Sequence, residues 1–233
     1  MMNRAEAKER EKEIITFIFE NKISLIRHIE GLFFDSYSRA RNYLGELEKK
    51  GLLKSTAFKH FGGEKVYFLS YKGIDYLKAL GTDAVRYKIN ENELLHDSGV
   101  IDLLVYFMKN KNVVNFTTDY RLRRMRKADN GNYRIPDFVF TDDKGINGIV
   151  EYQLADKSMA VIKSYVEDYT SYYPADFIKF FIVKEGKQRR YFEVLKSMNR
   201  KDFIVATYNI EKGLITYPGQ PPSLSGEMIS SAI

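Results

Sequence analysis

Through residues 134–154, RIPDFVFTDDKGINGIVEYQL, apolar positions alternate with others at period two, and Asp142, Asp143, Lys144 and Gly145 supply turn chemistry in the middle. The spacing predicts a hairpin centred near Lys144, in which Asp137 and Glu151 face each other with side chains about 5 Å apart. Gln153 shares that face. Two carboxylates so close repel unless a proton or cation lies between them, so the pair is expected to hold a divalent metal ion or to be a hydrogen-bonded remnant of such a site.

Upstream the period changes to that of helices. Residues 4–20 are charged and helix-favouring, then apolar at Ile14, Ile15, Phe17, Ile18 and Phe19, and a second short helix is predicted at 24–29. In SYSRARNYLGELEKKGLL, Ala40, Leu44 and Leu47 recur at helical spacing and Gly51 marks the end. That stripe leaves Ser38 and Asn42 pointing outward, with Arg39 and Arg41 on the flanks. Gly45 in mid-helix costs about 1 kcal/mol relative to alanine, which implies close packing or the approach of a ligand. Two strand-like runs in 52–70 surround Phe61-Gly62-Gly63-Glu64, with Lys59, His60 and Lys65 around the turn, and a helix at 71–80 closes the segment. Three helices followed by a β-hairpin is the order of a winged helix-turn-helix, whose third helix enters the major groove while the wing touches phosphate.

Beyond an aperiodic connector at 81–92, the pattern predicts a long apolar helix at 93–109. Strands follow at 113–116 or through the basic segment, at 135–141 and at 148–154. A helix at 158–172 comes next, with Met159, Ile162, Val166 and Tyr169 as its buried stripe, then a strand at 177–183, a helix at 188–198 and a strand at 203–208. From 216 the chain is rich in Pro, Gly and Ser and is expected to be a mobile tail. The expected fold class is therefore α+β: a winged helix at 1–82, an α/β domain with a central mixed sheet at 90–215, and a tail at 216–233.

Composition narrows the chemistry. No apolar run is long enough to cross a membrane and the N-terminus has no apolar signal region, so a soluble, cytoplasmic protein is expected. The 233 residues include no cysteine, and the three histidines, His28, His60 and His96, lie far apart, which removes disulfide frameworks and the usual zinc sites. A net charge of +6 favours a polyanionic partner. Its densest cluster is YRLRRMRK, where Arg121, Arg123, Arg124, Arg126 and Lys127 precede the carboxylate hairpin. Gly62-Gly63 falls in a predicted hairpin with no helix directly after it, so a nucleotide-cradling loop is not expected.

With Pro136-Asp137 on one strand and Glu151-Tyr152-Gln153 on the next, residues 93–208 resemble the PD-(D/E)XK nuclease superfamily. The resemblance implies that Asp137 and Glu151 hold magnesium or manganese and that a lysine two residues beyond the glutamate serves the attacking water. Here that position is Gln153, which brings neither positive charge nor a useful pKa. Lys157 and Lys163 are the substitutes if the site is active, and Asp97 or Asp102 could add a carboxylate. Most of the chain is similar to the replication-relaxation family of plasmids and other mobile elements, through LLHDSGVIDL, RIPDFVF, IVEYQLADKS and IKSYVEDY. That likeness implies a DNA-binding accessory factor for replication, maintenance or transfer of an element.

Three functions are thus in view. The first is a protein that binds double-stranded DNA through Ser38, Arg39, Arg41, Asn42, Lys59, Lys65 and the basic segment, beside a degenerate nuclease-like domain. A homodimer on two half-sites would suit it. The second is a metal-dependent endonuclease using Asp137 and Glu151, with the basic segment as an arginine-rich strand clamping phosphate. The third is a scaffold for replication or mobilisation proteins that docks through Tyr165, Tyr169, Tyr172 and Tyr173. For the carboxylates there is also a plainer alternative, in which Glu151 pairs with a nearby arginine; Arg134 could reach a carboxylate or a phosphate. His96 is expected to be satisfied within its helix.

Overall fold

The computed structural model describes residues 4–126, 134–209 and 214–216. The chain separates into two compact units, Met1–Ile101 and Asp102–Ile233. The connector and the first turns of the long apolar helix thus belong with the first unit, whereas the sequence placed the break at 82–90. Among the described residues, no helix is long and apolar enough to cross a membrane.

The first unit runs α1 (Arg4–Glu20), α2 (Ile26–Phe33), α3 (Tyr37–Lys49), β1 (Leu53–Ala57), a single 3-10 turn (Lys59–Phe61), β2 (Lys65–Leu69) and α4 (Tyr71–Ala79). The apolar end of α1 packs inward, and Ile14, Ile15, Ile18, Ile29 and Leu44 are fully buried. Local chemistry sets the limits of α3. The Ser36 hydroxyl accepts from the Arg39 N–H at its start. At its end Gly51, at φ 74°, lets its own N–H reach the Glu48 carbonyl and the Leu52 N–H reach the Leu47 carbonyl. β1 and β2 pair antiparallel from Leu53↔Leu69 to Ala57↔Lys65. A bridge not anticipated from sequence, Ser24↔Tyr67, ties the segment between α1 and α2 to that hairpin.

The second unit begins within α5 (Leu94–Asn110). It continues through β3 (Val113–Thr118), α6 (Asp119–Arg126), β4 (Phe138–Asp142), β5 (Asn147–Gln153), α7 (Met159–Tyr172), β6 (Ile178–Val183), α8 (Gln188–Ser197), β7 (Phe203–Asn209) and β8 (Leu214–Thr216). The six strands lie in chain order. β3, β4 and β5 are antiparallel, β5, β6 and β7 are parallel, and β8 returns antiparallel to β7. On one face Phe107 of α5 meets Phe138, Phe140 and Phe180, with ring centroids 5.2 to 5.7 Å apart. The other face is covered by α7 and α8, whose Ile162, Val166, Val194 and Leu195 pack on Ile149, Phe181 and Val205.

Several expectations change. The basic segment is the helix α6, not a strand: Asp119 opens it, and its carboxylate pairs with Arg123 one turn on, 3.3 Å away. Met159 is exposed at the start of α7 and Tyr165 takes its place in the buried stripe. Thr216, the first residue of the expected tail, ends strand β8, and the rest of that tail, 217–233, lies outside the described residues.

Candidate functional site

The β4–β5 register runs from Phe138↔Val150 to Thr141↔Asn147 and is therefore centred on Lys144. The turn is built by Asp142, whose Oδ1 accepts the N–H groups of Lys144 and Ile146 at 2.9 and 2.8 Å, and by Gly145 at φ 79°. Continued by one residue, that register sets Asp137 opposite Glu151. Side chains alternate along β5, so Ile149, Glu151 and Gln153 point towards α7 and α8 while Val150 and Tyr152 point to the α5 face.

Glu151 is buried, with 3% of its surface exposed. Both of its oxygens are occupied. Oε1 accepts from Arg134 Nη2 at 2.9 Å and from the Gln153 amide, and Oε2 accepts from the Tyr169 hydroxyl. The Arg134 guanidinium lies over the Tyr165 ring, 3.2 Å from its centroid. Asp137 is engaged through its backbone and its side chain: Oδ2 accepts the Tyr152 N–H at 2.6 Å, and its carbonyl accepts the Asp119 N–H at the start of α6. Burial, with the Asp137 charge beside it, pushes Glu151 up from its ordinary 4.5 to about 7, against the pull of Arg134 and the Tyr169 hydrogen bond. Burial and the neighbouring Glu151 raise Tyr169 well above its ordinary value in turn. Among the described residues, Arg134 Nε and the Tyr191 hydroxyl are buried without a hydrogen-bond partner.

This arrangement does not suit a divalent ion. Magnesium needs carboxylate lone pairs facing a hydrated octahedral space, whereas the oxygens of Glu151 already face a guanidinium, an amide and a phenol. Among the described residues no group of three or more His, Cys, Asp or Glu side chains could share a metal ion. Gln153 holds Glu151 instead of supplying a cation. Lys163 is on the exposed side of α7, and the Lys157 carbonyl accepts from Arg190. Asp102 lies on the other side of the sheet, where burial first and then its charge raise Tyr152. Asp97 pairs with Lys22 at 4.0 Å and has His96 at 3.7 Å, within the first unit. Arg121 and Arg123 are exposed on α6 and Arg124 is half-buried near the Tyr120 ring; the side chain of Arg126 and residues 127–133 lie outside the described residues.

In the first unit, α3 buries Ala40, Leu44 and Leu47 as its spacing predicts, and Ser38, Arg39, Arg41 and Asn42 are exposed. Arg39 is not idle, since its Nη1 spans both oxygens of Asp35 at 2.9 and 2.6 Å. A groove between α3 and the hairpin is lined by Tyr37, Arg41, Asn42, Gly45, Lys49, Lys65 and Tyr67, together with Glu46, Glu48 and Glu64. Those carboxylates are matched. Lys49 holds Glu46 at 2.7 Å, Lys65 and Ser55 hold Glu48, and Arg27 holds Glu64 at 3.1 Å. Lys59 is exposed near the hairpin tip, and the side chain of His60 lies outside the described residues.

Gly45 is part of that groove, and a Cβ added there would meet nothing within 4 Å. Close packing therefore does not explain the glycine. Gly45→Ala is expected to stabilise the first unit by about 1 kcal/mol, the interior-helix difference; thermal unfolding reads the effect, and a loss of stability would contradict the open space at that position.

Compared with known proteins, the chain matches no family model, no curated protein and no solved structure. Its function therefore has to be argued from its own residues. Of those at the carboxylate pair, Tyr169 is the one that the sequence placed in the buried stripe and in a docking patch but not beside Glu151. The usable signal was a tyrosine on a buried stripe, because a buried phenol needs an acceptor.

Proposed function

We propose that this chain is a DNA-binding protein whose first unit is a winged helix and whose second unit is a nuclease-like domain that has lost catalysis. The observation that carries DNA binding is the exposed start of α3, with Ser38, Arg41 and Asn42 clear of the core and the β1–β2 hairpin beside it. A helix so presented can read base edges, while Lys59 and Lys65 on the hairpin reach phosphate. The Ser24↔Tyr67 bridge supports this reading, because it anchors the hairpin to the helices and gives the wing a fixed pose. The setting, replication, maintenance or transfer of a mobile element, rests on the resemblance carried by LLHDSGVIDL, RIPDFVF and IVEYQLADKS.

Loss of catalysis rests on Arg134. Its guanidinium supplies, within the fold, the positive charge that the paired carboxylates call for. The endonuclease reading is favoured by one observation, the register that sets Asp137 opposite Glu151, and one experiment separates the two. Supercoiled plasmid incubated with the protein and manganese is expected to stay intact, as it does with the Asp137→Ala variant. Nicking by the unaltered protein that the variant abolishes would establish the enzyme instead.

A further inference from the structure

A second groove, of about 730 Å³, lies along the face of the β1–β2 hairpin that carries Lys54, Thr56 and Phe68. Cross-strand partners share a face, so Lys54↔Phe68 and Thr56↔Val66 are on one side and Ser55↔Tyr67 and Ala57↔Lys65 on the other. The groove beside α3 uses the second side and this one the first, closed by the start of α4 and the extended segment after it. Its lining combines two chemistries. Phe58, Phe68 and Tyr71 offer aromatic surface, and Lys54, Arg86 and Lys88 offer positive charge against one carboxylate, Glu91.

We propose that this groove binds single-stranded nucleic acid. Charge selects a polyanion: three cations face one carboxylate here, whereas the groove beside α3 is balanced by its own ion pairs. Aromatic faces then select unpaired bases, because a duplex keeps its base faces inside the stack while a single strand can lay them on protein rings. Tyr71 is the anchor. It is 60% exposed at the first position of α4, and the Arg86 guanidinium lies 4.5 Å from its ring centroid and donates to its hydroxyl. That places a cation for phosphate directly beside a stacking surface. The site is independent of α3, so a protein could hold a duplex by one side of its hairpin and an unpaired strand by the other.

The test is fluorescence anisotropy of the full chain with four labelled probes: oligo(dT), oligo(rU), a mixed-sequence duplex and poly-glutamate. Tyr71→Ala and the double variant Lys54→Glu/Lys88→Glu alter exposed side chains, and circular dichroism checks that their fold is kept. Tyr71→Ala is expected to weaken single-strand binding about tenfold, the scale of one lost stack, the double variant to weaken it by charge repulsion, and both to leave the duplex titration unchanged. Arg41→Glu should do the converse, so failure of this site and failure of the α3 reading are distinguishable. Whichever of oligo(dT) and oligo(rU) binds tighter identifies the sugar. Absence of binding to both, equal binding by variants and unaltered protein, or tighter binding of poly-glutamate, which would assign the groove to an acidic protein segment, overturns the proposal.

Discussion

Replacing Arg134 with alanine is expected to destabilise the second unit by about 3 kcal/mol at pH 8, the low end of the cost of stranding one member of a buried ion pair, and by much less at pH 5. The reason is the state of Glu151. Its folded pKa is raised from 4.5 to about 7, so the stability linked to its protonation is full below pH 4.5 and is lost as pH rises through about 7. At pH 5 the carboxyl is largely neutral in both proteins, and the variant gives up mainly the packing of the guanidinium on Tyr165. At pH 8 the unaltered protein buries a carboxylate matched by Arg134, and the variant must bury it unmatched or take up a proton. Arg134 is among the groups that lower the Glu151 pKa, so its removal moves the titration further up. Glu151→Gln should remove this pH dependence, and comparison with it isolates the contribution from other carboxylates. Urea denaturation at the two pH values, with hydrogen exchange of β5 amides assigning the transition to the second unit, reads the effect. An equal loss at both pH values would contradict it.

The second large effect concerns α3. Arg41→Glu is expected to weaken duplex binding at least tenfold near physiological salt, since it removes a cation from the exposed start of the helix and adds a repelling charge. Counterion release makes the logarithm of affinity fall with the logarithm of salt by about 0.9 per phosphate neutralised, so the slope should fall by roughly one where a single contact is lost. Arg39→Ala is expected to do less, because its guanidinium is already committed to Asp35. Titrations of one duplex at several salt concentrations give both quantities. Unchanged affinity and slope in Arg41→Glu would remove α3 from the interface.

How far the sequence could be read depended on whether a feature was local. The α3 stripe of Ala40, Leu44 and Leu47 was legible because helical spacing and a terminal glycine both reside within one segment. The centre of the hairpin at Lys144 was legible because Asp142 and Gly145 make their own turn. Helix α6 was not, since among its described side chains only Leu122 is buried and nothing in a run of arginines distinguishes a helix from a strand. Met159 was misplaced because its spacing fits the stripe, but it is the first residue of α7 and is exposed. The closure of Glu151 by Arg134 and Tyr169, 17 and 18 residues away in sequence, is a tertiary fact. The sequence raised an arginine partner as an alternative to metal. Geometry was needed to show which oxygen each donor takes.

A hydrogen-exchange footprint of the full chain, free and bound to duplex DNA, probes the proposed mode of binding most directly. Slowed exchange is expected over residues 38–45 of α3 and 59–65 of the hairpin, with the β5 amides around Glu151 exchanging at the same rate in both states. Protection centred on β5 and α7, or none on α3, would contradict the account.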